Sequence, residues 1–110
     1  MKIAFPLTDK LLSAHFGHCE EFAVLTVEDG KIVKEEYLVP PAHEPGSHPR
    51  FLHEQGVTVV IAGGMGMRAQ ELMAQNGIKT YVGVCHQPLA DLVELYVKGE
   101  LEAGDNLCDH

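Results

Sequence analysis

The segment "HFGHCEEF", residues 15 to 22, sets two imidazoles and one thiol around a single glycine, immediately ahead of an apolar run that reads as a strand. A second donor pair, Cys85-His86, follows another apolar run, and Cys108 and His110 form a third near the C-terminus. Thiolate and imidazole together suit Zn²⁺, Cu(I) and iron in sulfur-rich surroundings, because soft and borderline ions favour these donors over carboxylate and water. The spacings match no paired C-x₂-C zinc finger, and three cysteines cannot supply the four thiolates usual for an iron-sulfur cluster. An open or shared site therefore fits better than a closed structural one. Its candidate ligands are His15, His18, Cys19, Cys85, His86, Cys108 and His110. Plainer roles exist for the same residues. Phe16 and Gly17 can simply turn the chain, His15 can bond loop carbonyls, and Cys19 can be a small buried hydrophobe. His43 and His48 read as solvated loop residues, and His53 as structural or exposed.

A different chemistry is offered by "GGMGMRAQEL", Gly63 to Leu72, which follows the apolar run "VTVVIA" and opens a helix. Backbone N–H groups and the helix dipole at such a turn can hold an anion. Gly63, Gly64, Met65, Gly66, Met67 and Arg68 are thus candidate cofactor-binding residues, with Met65, Met67 and Arg68 expected on the rim. Gly64 to Ala69 also satisfies G-x-G-x-x-A, but late in the chain and with no acid at the end of the next strand to hold a ribose. The alternative is a tight strand-to-helix turn without a ligand.

The elements that must position these groups can be read in order. "KIAFPL" is a short strand closed by Pro6, "EFAVLTVE" a second, and Asp29-Gly30 the hairpin dipeptide leading to "KIVKEEYLV". "PPAHEPGSHP", residues 40 to 49, reads as a proline-rich surface loop. Two helix-strand units follow, "RFLHEQGVTVVIAGG" and "AQELMAQNGIKTYVGV", and "QPLADLVELYVKG" is a third helix with Leu89, Leu92, Val93 and Tyr96 on one face. The order βββαβαβα implies α/β architecture: a five-stranded mixed sheet with helices on both faces, its second strand antiparallel to its neighbours. Residues 1–98 would form the domain and 99–110 an acidic tail carrying Cys108 and His110. The connections at 8–20, 40–49, 63–66 and 84–87 would then meet at one edge of the sheet, where open α/β sheets bind ligands. The tail is long enough, at roughly 3.3 Å per residue, to return there.

Composition narrows the function. At 110 residues, 45% hydrophobic and 22% charged, the chain suits one globular domain. A formal net charge of −8 repels phosphate backbones, which excludes nucleic acid as an expected partner. No signal-peptide pattern opens the sequence, and no run approaches the roughly 18 apolar residues of a membrane span. A cytoplasmic location with reduced cysteines is expected. No nucleophilic triad, P-loop or pair of metal-binding acids is present, so catalysis is not expected.

Taken together, "MKIAFPLTD", "LSAHFGHCEEF", "GVTVVIAGGMGMRAQELMAQNGIKTY" and "GELEAGDNLCDH" resemble the dinitrogenase iron-molybdenum cofactor biosynthesis family, the NifX/NafY-type small cluster-binding proteins of anaerobes. The resemblance spans nearly the whole chain. It implies an RNase H-like fold and a non-catalytic carrier or scaffold for a metal-sulfur cluster containing iron, molybdenum or copper. Cluster donor or acceptor proteins are the implied partners, and a homo-oligomer is an option. The alternative is a regulatory or interaction module with at most a structural zinc site.

Overall fold

The computed structural model describes residues 1–14, 16, 19–41 and 46–103. Along the chain run β1 (Lys2–Thr8), β2 (Leu11–Leu12), β3 (Glu21–Glu28), β4 (Lys31–Leu38), α1 (Ser47–Glu54), β5 (Val57–Ile61), α2 (Met67–Gln75), β6 (Lys79–Tyr81) and α3 (Leu89–Val97). The sheet order is β4-β3-β1-β5-β6, with β2 attached to β1. β3 is antiparallel to both β1 and β4, whereas β5 is parallel to both β1 and β6. The mixed sheet and its antiparallel second long strand match the sequence reading.

Three details correct that reading. β1 runs through Pro6 to Thr8, because the missing proline N–H falls where pairing with β5 has already ended at Ala4. A sixth strand, β2, pairs with β1 across Asp9-Lys10, whose φ values of 53° and 65° make a tight turn without glycine. The proline-rich loop gives way to α1 at Ser47. Pro49 lies in its first turn, where a backbone N–H has no helical acceptor, so it does not break the helix.

Alternation along the strands divides the core. Ala4, Phe22, Val24, Val57 and Val60 face one side, packed with Leu52 of α1 and Met73 of α2. Ile3, Phe5, Ala23, Leu25, Val59 and Ile61 face the other, under Leu92 and Val93 of α3. Full burial of side chains such as Phe5, Phe22 and Leu92 contributes about 1.5–3 kcal/mol each, so both layers are held firmly. A bulge leaves Val33 of β4 unmatched between Ile32 and Lys34. This one-residue shift lets Ile32 reach the α3 side and Leu38 the α1/α2 side.

The topology gathers the ends of β1, β4, β5 and β6 and the start of β3 at one edge. At the opposite edge Asp29 and Gly30 turn with φ of 52° and 76°, as the dipeptide predicts. A Cβ on Gly30 would lie 3.4 Å from Val97, which places the end of α3 at that far edge. Among the described residues, no helix is long and apolar enough to cross a membrane.

Candidate functional site

The loops at the gathered edge are laced together by backbone hydrogen bonds. Phe16 N–H donates to the Gly64 carbonyl (3.1 Å) and Gly64 N–H to the Ser13 carbonyl (3.2 Å). Gly83 N–H donates to the Gly63 carbonyl (3.1 Å) and Val84 N–H to that of Ala62 (3.2 Å). The segments following β2, β5 and β6 therefore form one surface. Glycine is needed at 63 for contact rather than for φ: an added Cβ would stand 3.0 Å from the Ser13 carbonyl oxygen. Ser13 is itself pinned, its N–H donating to the Pro6 carbonyl (2.9 Å) and its hydroxyl 3.2 Å from that of Thr8.

The glycine turn serves an anion less broadly than its sequence suggests, since the Gly64 N–H is already given to Ser13. The donors oriented by the helix are those of residues 67 to 69, the first turn of α2, which lack helical acceptors and receive no side-chain cap from Gly66. Met65 is fully buried among Phe16, Met73 and their neighbours, not on the rim, because the turn directs it into the α1/α2 core. Met67 is exposed, and the exposed Arg68 guanidinium lies 3.4 Å from Glu71.

The two described thiols are separated. Cys19 is 9% exposed and belongs to the α1/α2 core with Phe16 and Phe22. Burial pushes its thiol up to about 12, opposed weakly by a backbone hydrogen bond, so it is a protonated packing group. Cys85 is exposed. It lines a recess of about 430 Å³ on the α3 side with Val84, Gln87, Leu95, Leu101 and Ala103. The expectation that Cys19 and Cys85 meet at a common rim does not hold among the described residues. The physical reason is the alternation at the sheet edge: Cys19 precedes Phe22 into one layer, whereas Val84 carries the chain after β6 into the other.

His86 turns away from Cys85 into a neighbouring recess of about 400 Å³, lined with Leu7, Lys10, Glu21, Tyr37, Pro88 and Leu89. Its Nδ1 accepts the Leu12 backbone N–H at 3.1 Å. While Nδ1 accepts this bond, the ring proton sits on Nε2. His48, expected in solvated loop, is instead 3% exposed on α1. Its ring stands edge-on to Phe16 (5.8 Å between centroids) and Phe22 (5.7 Å), and Nε2 contacts the Pro41 carbonyl at 3.2 Å. The sequence signal was present, since His48 and Leu52 share a face at i, i+4 once the helix is begun at Ser47. His53 is exposed, with Nδ1 3.1 Å from the Asn76 carbonyl. His15, His18, His43, Cys108 and His110 lie outside the described residues. Among those described, no three His, Cys, Asp or Glu side chains are gathered to hold a metal ion.

Comparison with known proteins places these features in context. A family model described as "dinitrogenase iron-molybdenum cofactor" matches residues 1–99. The uncharacterized protein MJ0580 of Methanocaldococcus jannaschii is 31% identical over 108 residues, covering 93% of this chain and 90% of that protein. The crystal structure of PH0822 superposes with a TM-score of 0.86 at 27% identity, covering 97% of this chain and 99% of the other. The apo form of the orange protein from Desulfovibrio gigas shares the fold at 20% identity, with a TM-score of 0.77 over 96% of this chain and 93% of its own.

Proposed function

The chain belongs to the dinitrogenase iron-molybdenum cofactor family, and from that premise we propose that it is a cytoplasmic, non-catalytic carrier or scaffold for a metal-sulfur cluster. The same membership underlies the RNase H-like assignment of its fold. The observation that carries the reading is the bond that joins Phe16 to the glycine turn. The hydrogen bonds between Phe16, Gly64 and Ser13 tie Phe16 to the turn that leads into the uncapped amino terminus of α2. An anionic cluster seated there would accept hydrogen bonds from residues 67 to 69 through its sulfides, with His15 and His18, which lie on either side of Phe16 in sequence, as candidate nitrogen ligands. Cys19 contributes packing beneath this surface in the described conformation. Partners on this reading are cluster donor or acceptor proteins.

The test is elemental. Protein purified without air should contain iron, molybdenum or copper with acid-labile sulfide and absorb visible light. Colourless protein with zinc alone would reject cluster carriage in favour of a regulatory or interaction module.

A further inference from the structure

The end of β1, the turn between β1 and β2, the start of β3, the last part of β4 and the entry to α3 border one recess of about 400 Å³. Its apolar lining is Leu7, Pro88 and Leu89, and its polar lining is Lys10, Glu21, Tyr37 and His86. A few polar groups over an apolar base, in a space of this order, is the composition of a small-molecule site. The carboxyl ends of strands are also where α/β sheets place such sites. Leu7 and Leu89 belong to the α3-side core, so the recess is separate from the surface proposed for the cluster, which is built on the α1/α2 side.

The polar groups of the recess are not committed to one another. Ion pairs among the described residues join Lys34 to Glu36, Arg68 to Glu71 and Lys98 to Glu94, and involve neither Lys10 nor Glu21. His86 uses Nδ1 to accept the Leu12 N–H and keeps its ring proton on Nε2. Lys10 is held at a conformational cost, with φ at 65° in a two-residue turn whose second position favours glycine. One ammonium, one carboxylate, one imidazole N–H and one phenol thus border the same space. A cationic ligand would face Lys10, and an anion such as phosphate would face Glu21. An uncharged apolar molecule would draw both charges from water without a partner. A zwitterion satisfies both.

We propose that this recess binds a free α-amino acid with an apolar side chain. The ligand carboxylate accepts hydrogen bonds from the Lys10 ammonium and the His86 Nε2–H, its ammonium donates to the Glu21 carboxylate, and its side chain lies on Leu7, Pro88 and Leu89. No covalent bond forms or breaks. The site goes beyond the cluster-carrying reading and needs no metal.

The experiment titrates leucine, as the probe, into the isotope-labelled full chain while amide NMR shifts are followed. Saturable shifts are expected at Leu7, Lys10, Glu21 and Leu89, with a Kd on the order of 1 mM or tighter, as suits an open site of this size. Isocaproate lacks the amine of leucine and isoamylamine lacks its carboxylate. Each should bind at least about tenfold more weakly, because each leaves one charge of the site unmatched. Glu21→Gln should abolish the preference for leucine over isocaproate. Lys10→Gly suits the positive φ, so it should melt no lower than wild type and still bind leucine at least about tenfold more weakly. That combination separates a ligand contact from a structural role. Absence of saturable shifts at tens of millimolar leucine would overturn the proposal. So would isocaproate binding as tightly as leucine, which would mark a general anion site, or undiminished leucine binding by Lys10→Gly. The titration is independent of metal content, so its failure would leave the elemental test above untouched, and the reverse.

Discussion

Replacing Gly63 with alanine tests whether the edge loops are a single bonded surface. The new Cβ would meet the Ser13 carbonyl oxygen at 3.0 Å and its carbon at 3.5 Å, so a few tenths of an ångström must be found in backbone. Ser13 cannot retreat easily, being 4% exposed and bonded to Pro6. Relief comes by parting the loops, which loses the 3.2 Å bond from Gly64 to Ser13 and the 3.1 Å bond from Phe16 to Gly64. At about 1 kcal/mol net for each bond, plus residual strain, the gross cost is about 2–3 kcal/mol. Alanine returns up to about 1 kcal/mol by restricting the unfolded chain. The net loss is then about 1–2 kcal/mol, which for a domain near this size lowers Tm by roughly 4–8 °C. Thermal unfolding measures the sum, and amide hydrogen exchange at Phe16 and Gly64 locates it. A variant that melts at or above wild type with both amides still protected would refute the reasoning.

Other perturbations probe separate parts. His48→Ala removes a ring packed against Phe16 and Phe22 and should cost about 2–4 kcal/mol in denaturant unfolding, a core-sized loss that a solvated loop histidine would not give. Iodoacetamide at mildly alkaline pH should modify Cys85 and spare Cys19, whose thiol burial holds near 12; equal labelling rates in native protein would contradict that burial. The same shift has a stability consequence. Because folding raises the Cys19 value, its contribution is complete below about 9 and should decline as pH rises toward 12, a slope that Cys19→Ala removes from urea titrations. Nitrogen NMR of His86 should show the Nε2–H tautomer at neutral pH, and a predominant Nδ1–H form would rule out the bond from Leu12.

Much of the scaffold was legible because it rests on local rules. Alternation in "EFAVLTVE", the Asp29-Gly30 hairpin, the strand-to-helix glycine turn and the apolar stripe at Leu89, Leu92, Val93 and Tyr96 each depend on a few adjacent residues. Boundaries failed where a neighbouring segment set the cost of a local feature. Pro6 is tolerated inside β1 only because β5 has stopped pairing there, and Asp9-Lys10 holds positive φ within the β1-β2 hairpin.

The sequence by itself therefore determined the order of the long strands and helices, the family and the donor types available. Tertiary structure alone decided that Cys19 enters the α1/α2 core while Cys85 opens on the α3 side, that His48 is buried against Phe16 and Phe22, and that the chain after α3 returns to Cys85. Periodicity tells which residues share a face. Which faces meet depends on register, a single bulge and the path of each connection, and these are fixed by packing between segments far apart in the chain.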